Sequence, residues 1–239
     1  MAIFCHVLFI FLRRLFRRFF FMQKSKENIK KLTMTAMLCA LAYIALVIGR
    51  VPVVLFLKYD PKDVIITLGG LIWGPMTSFV VSVIVSVIEM VTVSDTGFIG
   101  LVMNIISTCS FACTAALIYK KKRTLSGAVI ALLVGSIAMT AVMILWNYLV
   151  TPLYMHVPRE TVKELLIPAF LPFNLLKAGL NAGFTFLLYR PVISALRKTG
   201  YVAESENSGK KKVPVGMLIA AGLLVITCVL FVLSLKGII

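Results

Sequence analysis

Pro168-Ala169-Phe170-Leu171-Pro172-Phe173-Asn174-Leu175-Leu176-Lys177-Ala178-Gly179-Leu180-Asn181 puts one lysine and two asparagines inside an apolar segment of membrane-spanning length. A lysine at the centre of a helix in hydrocarbon costs roughly 2.5–3.5 kcal/mol by insertion scales. Such a side chain faces a protein interior or a cavity and takes a partner there. On a helix, Asn174, Lys177 and Asn181 follow i, i+3, i+7 spacing, so their polar heads emerge on one face. Two readings fit that stripe. It is the wall of a polar pocket inside a bundle, or it is polar glue between helices.

The surrounding chain fixes the class. Of its 239 residues, 60% are hydrophobic and only 14% are charged, and the mean hydropathy is +1.01. A soluble domain carries about 25% charged residues, so this is an all-α membrane protein. Apolar runs read as membrane spans fall near 31–49, 62–73, 75–93, 99–119, 125–151, 169–190 and 213–235. The second is short, contains glycine and is ended sharply by Gly74-Pro75.

A net charge of +16 would suit a nucleic-acid binder, but its distribution describes topology instead. Basic residues cluster at Lys24, Lys26, Lys30 and Lys31, at Lys120, Lys121, Lys122 and Arg123, and at Arg190, Arg197, Lys198 and Lys210 to Lys212. By the positive-inside rule these segments are cytoplasmic. The opposite side receives Arg50, Lys58, Lys62, Arg159, Lys163 and Lys236.

Residues 1–21 form a basic, aromatic extension around Arg13, Arg14, Arg17 and Arg18. Its arginines follow the apolar stretch, the reverse of a secretory signal. It reads as an interfacial helix, or as untranslated sequence upstream of a start at Met22. A core of residues 22–200 follows, then a polar cytoplasmic linker at 201–212. Residues 213–239 read as an additional transmembrane helix.

Signatures of catalysis are missing. There is no G-x-x-x-x-G-K-[ST] loop, no H-E-x-x-H and no G-x-S-x-G, and the histidines are His6 and His156. Glu89 is the main intramembrane acid, too little for an ion-driven carrier. A non-enzymatic binding subunit powered by another protein fits better. Cys109 and Cys113 lack companions for a metal site and read as packing residues, as does the small-residue row Ser78, Ser82, Ser86. Ala36 and Ala40 form a small-xxx-small pair that admits a neighbouring helix. Asn147, between Trp146 and Tyr148, offers donors and an acceptor that match a uracil-like edge. The connection Gly49 to Pro61 alternates aromatic, apolar and charged residues, as a loop folded over a site does. That from Thr151 to Pro168 reads as a short surface helix bounded by prolines.

Several stretches together resemble the S components of energy-coupling factor (ECF) vitamin transporters, and within them the riboflavin-specific branch. They are Leu57-Lys58-Tyr59-Asp60-Pro61-Lys62-Asp63-Val64, Gly74-Pro75, Gly97-Phe98-Ile99-Gly100 with Asn104, Asn147-Tyr148 with Pro152-Leu153-Tyr154, and Ile167-Pro168 with Pro172-Phe173-Asn174-Leu175-Leu176-Lys177. The resemblance covers about Met22 to Gly200. It implies a six-transmembrane-helix S-component bundle in a bacterial plasma membrane, to which this chain adds a C-terminal helix. It implies riboflavin as transported ligand rather than cofactor, bound near the outer face by Asn147, Asn174 and Lys177 under a loop carrying Leu57, Lys58, Tyr59 and Asp60. It further implies an EcfT coupling subunit, contacted through Ala36 and Ala40, and two ATPases, with the S component toppling to release its cargo inside. The competing readings are an S component for another vitamin and a scaffold subunit that binds no small molecule. Lys177 needs its charge balanced, and Asp60 and Glu89 are the expected partners.

Overall fold

A computed structural model describes residues 26–121, 123–198 and 215–235. The basic extension at 1–21 and the linker at 201–212 lie outside the described residues. The elements in order are α1 (Lys26–Gly49), β1 (Val51–Val54), β2 (Leu57–Tyr59), α2 (Lys62–Trp73), α3 (Pro75–Thr92), α4 (Gly97–Lys121), α5 (Leu125–Met155), α6 (Arg159–Leu165), a π-helical turn (Leu166–Phe170), α7 (Leu171–Lys198) and α8 (Val215–Leu235). Among the described residues six helical stretches are long and apolar enough to cross a membrane; the run at 62–73, expected as a span, is not among them, because α2 has only 12 residues before Gly74 ends it. The chain divides into residues 1–37 and a larger unit, residues 38–239, which holds every feature described below except the first turns of α1.

Close approach through small side chains builds this unit, as expected where lipid supplies no hydrophobic drive between helices. Leu38, Cys39 and Ala42 of α1 pack with Ile66 of α2, Val81 and Val85 of α3, and Ala112 of α4. Phe111 and Ala115 of α4 meet Ala131 and Met139 of α5 in a second cluster, which Ala178 and Phe186 of α7 complete. Between α2 and α3 the chain reverses at Gly74, whose φ of 105° is open to glycine at little cost. Its N–H closes α2 onto the Gly70 carbonyl at 2.8 Å, and Pro75 starts α3, where a missing N–H costs nothing. The small-residue row on α3 serves this contact: Ser78 Oγ donates to the Ile66 carbonyl at 3.0 Å, and Ser82 and Ser86 are buried.

Two connections are more ordered than a loop folded over a site and a short surface helix bounded by prolines. The first is an antiparallel hairpin pairing Val51 with Tyr59 and Pro52 with Lys58. Its register slips between Pro52 and Val54, where proline has no N–H to give the ladder. The second holds the expected short helix after Pro158, but it does not break at Pro168. From Arg159 the helix runs through the π-helical turn into α7; the wider turn carries Pro168, whose ring and missing N–H a regular α-helix would not accommodate. The span expected at 169–190 is therefore the middle of a longer helix.

A Cβ added at Gly70 would lie 1.9 Å from Ser78 Oγ and 3.1 Å from Ala116 Cβ. Gly70→Leu is expected to destabilise the protein by about 1–3 kcal/mol through overpacking. Thermal unfolding in detergent, with Gly222→Leu at an open position on α8 as the matched control, checks this.

Candidate functional site

Beneath the hairpin lies a crevice that opens to solvent, with about 500 Å³ of empty space counting its open mouth. The hairpin and its exit supply Phe56, Leu57, Lys58 and Asp60. The α3–α4 connection supplies Asp95 and Thr96, α4 supplies Met103, Asn104 and Ser107, and α5 supplies Met143. From α7 come Phe173, Asn174 and Lys177. Below and beside the hairpin, Leu57, Val162, Phe170 and Phe173 form an apolar cluster, and Phe56 stacks edge-on to Tyr154 with ring centroids 5.1 Å apart.

Charged side chains gather around this crevice. Lys177 Nζ lies 3.1 Å from Asp63 Oδ2. The other Asp63 oxygen accepts from Thr108 Oγ1 at 2.7 Å, and Asn181 Nδ2 reaches Oδ2 at 3.5 Å. Asp60 and Glu89, the partners expected for Lys177, are instead engaged by Arg50 and Lys62. Arg50 Nε donates to Asp60 Oδ1 at 2.8 Å, and Arg50 also pairs with Glu89. Lys62 pairs with Glu89 and approaches Asp60 at 3.6 Å. Asn104 Nδ2 donates to Glu89 at 2.9 Å. Three cations and three carboxylates make a neutral cluster, in which Lys62, Asp63, Glu89 and Asp60 are at most 2% exposed. Burial by itself would raise the Asp60 carboxyl, but Lys62, Lys177 and Arg50 hold it below the usual carboxylate range. Arg50 sits at the root of the hairpin and also donates to the Val93 carbonyl at 3.1 Å. The cluster therefore anchors the crevice cover as well as α7.

Leu57, Lys58, Asp60, Asn174 and Lys177 thus line one crevice. Tyr59 and Asn147 are not in that lining. Tyr59 packs instead with Leu176 and Leu180 of α7 and with Val225, Cys228 and Val232 of α8. Asn147 is fully buried one turn from the crevice residue Met143; its Oδ1 accepts from Thr151 Oγ1 at 3.2 Å while its Nδ2 has no partner among the described residues. Asn174 donates to the Phe170 carbonyl at 2.8 Å and leaves Oδ1 without a partner. Ala36 and Ala40 are both exposed. Arg50, Lys62 and Asp63 were missed as site residues. The first two read as ordinary loop charges, and only the adjacency of Lys62 and Asp63 to an apolar run hinted otherwise.

The chain matches the family "ECF transporter, substrate-specific component" over residues 30–189. It is 30% identical over 163 residues to the "Riboflavin transporter FmnP" of Bacillus subtilis (strain 168), covering 63% of this chain and 85% of that protein. It is 28% identical over 189 residues to the "Riboflavin transporter RibU" of Staphylococcus aureus (strain TCH60), covering 76% of this chain and 98% of that protein. A solved structure described as "Structure and mechanism of the S component of a bacterial ECF transporter" is similar with a TM-score of 0.61 and 28% identity. It covers 71% of this chain and 99% of its own.

Removing one member of a buried pair strands the other charge, at a cost of about 3–5 kcal/mol, whereas removing both costs far less. Asp63→Asn is therefore expected to destabilise strongly, and Asp63→Asn combined with Lys177→Met to recover most of the loss. Chemical denaturation of the two single variants and the double variant closes the cycle.

Proposed function

The chain belongs to the family of ECF transporter substrate-specific components, and on that premise we propose that it captures riboflavin at the outer face of a bacterial plasma membrane and delivers it inward. As a multi-pass substrate-specific component it is a binding protein and not an enzyme. The observation that carries the riboflavin reading is that one crevice wall holds both Lys177 and Asn174, whose carbonyl oxygen has no partner among the described residues. A buried acceptor left unpaired costs about 1–3 kcal/mol, so a ligand that supplies a donor there recovers that cost.

Riboflavin has the matching chemistry. Its isoalloxazine ring is flat and largely apolar, suiting Phe56, Leu57, Met103, Met143 and Phe173. The pyrimidine edge carries an N–H donor for Asn174 Oδ1 and carbonyl acceptors, and the ribityl hydroxyls accept from Lys177 Nζ. Asn147 Nδ2 is a second unmet donor close to the crevice. Riboflavin is uncharged, which agrees with a site whose lysine is already balanced by Asp63. Lys58 and Asp60 then lie in the cover, with Tyr59 behind it. Delivery calls for an EcfT subunit, with Ala36 and Ala40 as its contact on α1, and for two ATPases, because the sequence carries no phosphate loop.

Titration of the purified protein should quench riboflavin fluorescence, and Asn174→Ala and Lys177→Ala should each weaken binding by about 1–3 kcal/mol. A protein that leaves flavin fluorescence unchanged, or that tolerates Lys177→Leu with full affinity, overturns this reading.

A further inference from the structure

The C-terminal helix α8 lies beyond the family match, which ends at residue 189, yet it does not stand apart from the binding unit. Met217, Ala221, Val225, Cys228 and Val232 are half-buried along one face, at successive spacings of four, four, three and four. That is a single helical stripe. The opposite face, including Leu223, Ile226 and Leu230, is exposed and suits lipid.

The stripe seats on glycines of α7. A Cβ at Gly183 would meet Val225 Cγ2 at 2.6 Å, and one at Gly179 would meet Cys228 Sγ at 3.2 Å. This small-xxx-small pair lets two helices approach closely in lipid. Contacts run antiparallel along α7: Met217 and Ala221 reach the cluster of Phe186 and Ala182, whereas Val225, Cys228 and Val232 reach Leu180, Leu176 and Tyr59. Asn174 and Lys177, on the same α7, line the crevice.

The outer end of α8 does more than cover α7. It packs against Tyr59 of β2, shares with Val53 the cluster built on Tyr59, and contacts β1, so it meets both strands of the hairpin that roofs the crevice. Tyr59 is only 6% exposed, and its hydroxyl has no hydrogen-bond partner among the described residues. Packing, not a polar bond, therefore holds the ring in place. We infer that α8 is a buttress of the binding site. It grips Tyr59 and Val53 between itself and α7, keeps the hairpin seated over the crevice, and so lengthens the residence of bound ligand. Tyr59 is then a positioning residue for the cover.

The experiment has two arms. For docking, Gly179→Cys is made in the full chain with a protease site inserted in the 201–212 linker, and membranes are oxidised. A Cβ-to-Sγ separation of 3.2 Å is one a disulfide spans. After cleavage α8 should stay with the core until reduced, and adding Cys228→Ser should abolish that retention. If no Cys228-dependent link forms, the buttress is overturned. For function, Val225→Ala combined with Val232→Ala thins the contact without touching the crevice. Hydrogen exchange of the Val51–Tyr59 amides should quicken, and riboflavin release should speed by about tenfold with association little changed, as interface losses act mainly on dissociation. Gly183→Leu, which wedges α8 away, should do the same. Gly222→Leu, at an open position, should change neither. Unchanged hairpin exchange in both loosening variants overturns the inference. The release measurement rests on the riboflavin reading, whereas the cross-link and the exchange do not. A chain that binds no flavin but cross-links and loosens as expected would sink the ligand assignment and keep the buttress.

Discussion

Charge neutrality at one depth in the bundle is the constraint on which the rest depends. Hydrocarbon does not tolerate an isolated ammonium or carboxylate, so Lys177 in α7 obliges Asp63 to lie within reach. Asp63 is the second residue of α2, so α2 starts inside the protein, and twelve residues suffice before Gly74 reverses the chain. Lys62, immediately before it, is buried with Glu89 of α3 and Asp60. Arg50 joins the same carboxylates from the end of α1. Four helices and the roots of the hairpin are tied together here. A cluster of this kind is weak evidence for stability in its own right. It does restrict register, because sliding any one helix by a turn leaves a charge behind.

Stability has to come from elsewhere, and the small residues supply it. Ala112, Ala115 and Ala131 are fully buried, and Gly135 brings α5 so near α4 that a Cβ there would lie 2.9 Å from the Phe111 carbonyl oxygen. Dispersion over such short separations is what holds helices together in lipid. The polar cluster and the small-residue seams therefore divide the labour. The seams hold the helices close, and the charges decide which faces meet.

How much of this could be read beforehand follows the same division. Asn174 and Lys177 were visible because polar residues in an apolar run announce themselves, and helical spacing placed them on one face. The spans were visible by length and hydropathy. The partner of Lys177 was not, because Asp63 is 114 residues away and the rotation of α2 against α7 is a tertiary property. Arg50 and Lys62 looked like extracytoplasmic loop charges, since composition does not say that a loop folds inward. Tyr59 was read with its neighbours as a ligand contact. Nothing in four consecutive residues reveals that α8 waits behind one of them. Pro168 was read as a boundary because proline usually breaks a helix, and a π-helical turn is the exception that lets the chain continue.

The crevice inherits its selectivity from that neutrality. Each cation that lines it among the described residues already has a carboxylate: Arg50 with Asp60 and Glu89, Lys58 with Asp95, and Lys177 with Asp63. No net charge is left to attract an anion. Two amides carry unspent hydrogen-bonding capacity at or near it, Asn174 Oδ1 at the wall and Asn147 Nδ2 behind it. On the proposed function, a cargo taken up here is selected by matching donors to acceptors, because an unmatched buried polar group costs more than a matched one returns. That asymmetry favours a neutral, flat molecule with a fixed donor and acceptor pattern. On the same reading, the seating of the hairpin over the open crevice is as much a part of recognition as the residues beneath it.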